Sequence, residues 1–130
     1  MLSKEIIEKI INLCQEYPQV KLLYIFGSQA RGDAGPLSDY DFAVYLDEND
    51  AQKRFDIKLY LIGKLTSILQ TNAVDVAVIN DTESPFLKYA AIKDGILLFQ
   101  KEFFKVAVET AIMSEYFDLR ESFLRFNFAK

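Results

Sequence analysis

Apolar residues recur along this chain in two rhythms that alternate from end to end. Ile6, Ile7, Ile10, Ile11 and Cys14 repeat at helical spacing over residues 3–16, with Ser3 placed to cap the first turn. Pro18 stops that helix, and the apolar run 22–26 suits a buried strand. Gly27 and Ser28 end the strand, and Asp33, Ala34, Gly35 and Pro36 form a strong breaker. A helix starting at Ser28 therefore lasts little more than a turn. A second strand is expected over 39–46. Ala51, Phe55, Leu59, Ile62, Leu65 and Leu69, at steps of three and four, predict an amphipathic helix over 50–70. The β-branched stretch 74–79 predicts a third strand. Ser84 and Pro85 open a helix that Gly95 closes, 96–99 makes a short fourth strand, and 102–126 holds no breaker and reads as one long helix. This order predicts an α/β (α+β) fold: a small mixed four-stranded sheet with packed helices and a long C-terminal helix.

That last helix carries two apolar stripes. Ile112, Tyr116, Leu119, Phe123 and Phe126 form one; Phe103, Val106, Met113, Phe117 and Leu124 form the other. One can cover the sheet. The second is either wedged in a groove or exposed to a partner, and a partner surface is the preferred reading.

Length and composition narrow the function. The 130 residues predict a single domain over 1–130 with one core. Fifteen basic against nineteen acidic side chains give a net charge of −4, which argues against direct nucleic-acid binding as the main task. The chain has no histidine, which excludes Ser-His-Asp and Cys-His nucleophiles, His-ligated zinc and imidazole bases. The lone Cys14 cannot form an internal disulfide and is expected in the core. With no signal-like start and no apolar run of membrane-spanning length, a cytoplasmic protein with no membrane partner is expected.

The chemistry concentrates in one stretch, Gly27-Ser28-Gln29-Ala30-Arg31-Gly32-Asp33-Ala34-Gly35-Pro36-Leu37-Ser38-Asp39-Tyr40-Asp41. Gly27 permits close backbone approach, and Ser28 begins a turn whose free N–H groups can hold an anion. Asp39 and Asp41, two apart on the expected strand, point to one face. Two carboxylates side by side call for a cation, and hard oxygen donors favour Mg²⁺ or Mn²⁺. A phosphate-holding turn beside such a pair is what nucleotidyl transfer requires. Asp75, the one acid in the apolar strand 73–78, is the candidate third carboxylate of a two-metal site; a solvent-facing strand position is the alternative. Arg31 is a candidate phosphate contact or a surface residue. Tyr45 shares the parity of the acids, so it borders the nucleotide or packs. The acidic run from Asp47 to Asp50 reads as a solvated loop and helix cap.

Gly-Ser, ten residues, then Asp-x-Asp resembles the signature of the nucleotidyltransferases related to DNA polymerase beta, and the run GSQARGDAGPLSDYDFAV is similar to their minimal subgroup, the MNT proteins. The resemblance implies that Gly27 and Ser28 (and with them Arg31) meet the phosphates of ATP, and that Asp39, Asp41 and Asp75 serve two Mg²⁺ ions and the reaction. It further implies an antitoxin that moves AMP from ATP to a hydroxyl, a tyrosine in the first instance, of a cognate HEPN RNase toxin. A hetero-oligomer is expected, with a homodimer as the alternative. Two rival functions remain open: a non-catalytic antitoxin that neutralises by covering its partner, and a small-molecule nucleotidyltransferase.

Overall fold

A computed structural model of the chain describes residues 2–32 and 39–128. The breaker at Asp33, Ala34, Gly35 and Pro36 lies outside the described residues. The elements are α1 (Lys4–Gln15), β1 (Val20–Phe26), α2 (Ser28–Arg31), β2 (Tyr40–Leu46), α3 (Ala51–Leu69), β3 (Val74–Val78), α4 (Pro85–Asp94), β4 (Ile96–Gln100) and α5 (Phe104–Phe128), with a 3₁₀ turn at Ile79–Asp81. Capping chemistry sets several starts. The Ser3 hydroxyl accepts from the Ile6 N–H at 3.2 Å, the Asp50 carboxylate from Gln52 at 2.9 Å, and the Ser84 hydroxyl from Leu87 at 3.2 Å, with Pro85 in the first helical turn.

The sheet runs β3-β2-β1-β4. β1 pairs antiparallel with β2 and with β4, whereas β2 and β3 are parallel, so α3 must carry the chain back across the sheet. Strand alternation divides the core. Leu23, Ile25, Phe42, Val44, Val76 and Val78 meet Ile10, Leu13 and Cys14 of α1 and Leu61 and Leu65 of α3. On the other face Leu22, Tyr24 and Ala43 meet Ala91 of α4 and Val108 and Ile112 of α5. Cys14 is fully buried, as expected, and burial pushes its thiol pKa up to about 12. The buried Tyr24 hydroxyl donates to the Glu109 carboxylate, which anchors α5 over the sheet. Among the described residues no helix is long and apolar enough to cross a membrane.

β4 runs one residue longer than expected and α5 is shifted by two, and three further boundaries differ for identifiable reasons. β1 begins at Val20, because Val20 pairs with Leu46 and is fully buried. β2 begins at Tyr40, one residue after Asp39. β3 ends at Val78, where the chain tightens into the 3₁₀ turn.

α5 divides its stripes by face as far as Tyr116 and exposes both of them beyond it. Ile112 is buried and Tyr116 stacks on Tyr89 with ring centroids 3.9 Å apart, but every residue from Phe117 to Phe126 is exposed. Of the second stripe, Phe103 and Val106 are exposed at 85% and 72%, so the sheet takes only the beginning of the first stripe.

The 3₁₀ turn supplies a clamp that no periodicity announces. Asn80 Oδ1 accepts from the Leu46 N–H at 3.1 Å, and its Nδ2 donates to the Leu46 carbonyl at 2.8 Å. The side-chain amide thus continues the parallel ladder past the end of β3. Asn80→Ala leaves both Leu46 groups without that partner and should destabilise the protein by about 1–2 kcal/mol in urea unfolding. An unchanged midpoint would mean that water replaces the clamp at no cost.

Candidate active site

Three chain segments converge at one end of the sheet: the last residue of β1, the first residues of β2 and the first residues of β3. Phe26 lies opposite Asp41 in the antiparallel ladder, and Asp41 lies opposite Asp75 in the parallel one. Because Phe42 and Val76 face the α1–α3 core, Asp41 and Asp75 both face the other side, at the end not reached by the core beneath α4 and α5. Adjacent strands fix the two acids as neighbours through their backbones.

Gly27 joins this pair directly. Its φ of +75° is a conformation that L side chains rarely adopt, and a Cβ there would stand 2.9 Å from Asp41 Oδ2. The glycine keeps open the space beside the carboxylate and turns the chain into α2, whose first residue is Ser28. α2 is a single turn, ended by Gly32 at φ +79°, as the sequence predicts. The side chain of Arg31 lies outside the described residues, so its expected phosphate contact does too.

The positions of the three acids refine the expected set. Asp41 is half-buried and Asp75 exposed, both within strands. Asp39 is exposed and precedes β2, so strand parity does not govern it. Its charge nonetheless reaches Asp41: desolvation first, then Asp75, then Asp39 raise the Asp41 pKa above its ordinary value. Among the described residues no group of three or more acidic or cysteine side chains is arranged to hold a metal ion as it stands. The chemistry of the donors fits one all the same. They are hard carboxylate oxygens, the central one is short of a compensating positive charge, and Gly27 leaves room beside it.

Other residues resolve into packing. Tyr45 sits 6.1 Å from the ring of Phe104 and lines a cavity of about 310 Å³ with Ile79, Asn80 and Lys88. Asp50 caps α3, as its acidic run suggests. Lys88, which sequence reasoning passed over, is largely buried, pairs with Glu115 at 3.1 Å and lines a small cavity with Phe26, Ala43 and Ala77. Ala43 and Ala77 follow Asp41 and Asp75 by two residues on the same face. A lysine at an ordinary mid-helix position carries no sequence signal for such a placement.

The raised pKa of Asp41 has a stability consequence. Its folded-state value lies above the unfolded one, so the group favours folding while protonated, and that contribution is lost as pH rises through the raised value. At neutral pH the ionised, desolvated carboxylate weakens the fold. Asp41→Asn should therefore raise the melting temperature in EDTA at pH 7, with the gain vanishing below the ordinary carboxylate range. Added Mg²⁺ should stabilise the parent and not the variant. A variant that melts at or below the parent at every pH would remove this account of the site.

Comparison with known proteins shows the family of the chain. The family model described as "Polymerase beta, Nucleotidyltransferase" matches residues 8–103. The protein adenylyltransferase MntA of Aphanizomenon flos-aquae is 29% identical over 103 residues, 75% of this chain and 68% of that protein. A Methanocaldococcus jannaschii protein that carries the protein adenylyltransferase name provisionally is 34% identical over 93 residues, 72% of this chain and 91% of the other. A crystal structure of a toxin–antitoxin with AMP-PNP contains a chain that superposes with a TM-score of 0.71 at 25% identity, over 93% of this chain and 92% of that one. The match runs through the strands that bring Gly27, Asp41 and Asp75 together, and the chain belongs to the polymerase beta nucleotidyltransferase family.

Proposed function

We propose that this nucleotidyltransferase is an antitoxin that transfers AMP from ATP to a tyrosine hydroxyl of a cognate HEPN RNase toxin, acting as a single catalytic unit. One observation carries the reading: Asp41 and Asp75 are in direct register across β2 and β3, with Gly27 packed against the first of them. The adenylyltransferase name of its relatives and its likeness to a chain from a nucleotide-bound toxin–antitoxin supply the nucleotide and the kind of acceptor.

Each residue then has a task. The Gly27–Ser28 turn receives the β- and γ-phosphates, with backbone N–H groups directed at their oxygens. Asp39 and Asp41 would hold Mg²⁺, and Asp75 would share a second ion. The bound cations offset triphosphate charge and polarise the α-phosphate. Asp75, exposed on the outermost strand, takes the proton of the acceptor hydroxyl. The hydroxyl oxygen bonds to the α-phosphorus as the bond from that phosphorus to the bridging oxygen breaks, and pyrophosphate leaves. The partly desolvated Asp41 contributes where the surroundings screen charge least, so its loss affects the chemistry most.

The test is labelled ATP with Mg²⁺ and the cognate HEPN protein. The double variant Asp39→Asn, Asp41→Asn should fold and lose transfer; labelling equal to the parent's would sink the catalytic reading in favour of neutralisation by binding alone. Asp75→Asn should slow single-turnover transfer by about 100-fold or more while calorimetric ATP affinity stays within a factor of about three. Unchanged transfer would return Asp75 to a structural role.

A further inference from the structure

The sheet leaves one strand edge open at the site itself. β3 ends the order β3-β2-β1-β4, and among the described residues its only ladder is with β2. The Tyr40 N–H donates to the Ala73 carbonyl at 2.8 Å, so strand alternation turns the backbone N–H and C=O groups of Ala73, Asp75 and Ala77 toward β2 and those of Val74, Val76 and Val78 outward. Among the described residues, only the Thr82 hydroxyl reaches this outer row, donating to the Val78 carbonyl at 2.9 Å.

Apart from its shortness and the charge of Asp75, which belongs to the site, β3 has none of the usual edge protections. Its five residues, Val-Asp-Val-Ala-Val, include no lysine and no proline. Its pairing with β2 has no bulge, although both ladders of β1 do. Beside it runs a groove of about 380 Å³, lined by Ala51, Phe55 and Lys58 of α3, by Ala77 and Val78 of the strand, and by Asp81 and Thr82. Phe55 and the neighbouring Leu59 are half exposed. Arg54 holds Asp81 through Nε at 3.1 Å and Nη2 at 2.7 Å, which fixes the far wall.

We infer that an extended segment of the acceptor protein adds to the outer edge of β3 as a fifth strand and so sets its hydroxyl-bearing residue beside Asp75. The inference rests on the adenylyl-transfer reading for the identity of the partner. Geometry selects this edge over β4. A residue opposite Asp75 in a new ladder has its Cβ about 5 Å away and shares the face of Asp41 and Asp75. A strand added outside β4 would lie four strand spacings from β3, about 19 Å, beyond the reach of any side chain. Alternation sends the segment's other residues over Phe55 and Leu59, so those positions should be apolar. The backbone supplies affinity, and the one residue facing Asp75 supplies the chemistry.

Amide hydrogen exchange measured by NMR on the full chain, with and without the cognate HEPN protein and α,β-methylene-ATP, whose α–β bridge cannot be cleaved, reads the docking without any transfer. The outward amides of Val74, Val76 and Val78 should slow by about tenfold or more, while those of β4 stay unchanged. No slowing at β3, or slowing at β4 instead, overturns the inference even if transfer occurs. Slowing at β3 without transfer upholds the docking and removes the adenylyl-transfer reading. A second measurement uses Val74→Pro, which removes an outward N–H at the first strand residue, where proline is tolerated. Labelling of the partner should fall about tenfold with ATP affinity unchanged, whereas Val74→Ala, which keeps the N–H, should label as the parent does. Parental labelling by a folded Val74→Pro protein overturns the inference.

Discussion

The parallel pairing of β2 with β3 is the constraint on which the site depends. It sets Asp41 opposite Asp75, and two like charges in that relation oppose the pairing that creates them. The register survives because the alternate residues leave no choice. Phe42, Val44, Val76 and Val78 are all buried against α1 and α3, and a slip of one residue in either strand would move that strand's carboxylate into that core. Apolar burial on one face thus holds an electrostatic conflict in place on the other. α3 covers that buried face and also connects the two strands, so the element that closes the core also enforces the conflict.

What the conflict provides is a cluster of carboxylates that a cation would relieve. Asp41 bears most of it, desolvated and repelled from two sides, while the exposed Asp75 and Asp39 can turn toward water. Gly27 completes the arrangement by having no side chain where one would meet the Asp41 carboxylate. A positive φ at that position is tolerated because glycine accepts it, and the same φ directs the chain into the Ser28 turn. One residue therefore opens the space beside the Asp41 carboxylate and aims the backbone of the Ser28 turn.

Much of this could be read from the sequence, because the signals were local. The apolar periods of α1 and α3, the serine and aspartate caps, and the spacing from Gly27 to Asp41 each depend on residues close together in the chain. What escaped depends on residues far apart. Val20 joins β1 only because Leu46 pairs with it, and the Asn80 clamp reaches back 34 positions to Leu46. Asp39 was expected inside β2, but the ladder to β3 begins at Tyr40, so alternation never applied to it. The pairing of Asp41 with Asp75 was only half legible: the motif marks the first, whereas a lone acid in an apolar strand acquires its meaning from the register.

The open edge and the long helix follow from how little chain the sheet contains. At 1.5 Å per residue the 25 residues of α5 extend about 37 Å, whereas the longest strands, of seven residues, extend about 23 Å. No orientation along the strands lets such a helix rest wholly on such a sheet. The exposure of both stripes beyond Tyr116 is therefore a matter of length, and the choice between a buried stripe and an exposed one does not arise there. Four strands likewise leave β3 as a border, and Asp75 sits on that border rather than in the interior. A wider sheet would place Asp75 between two strands. Here the acid stands exposed at the sheet's border, open to a surface as large as that of a folded protein.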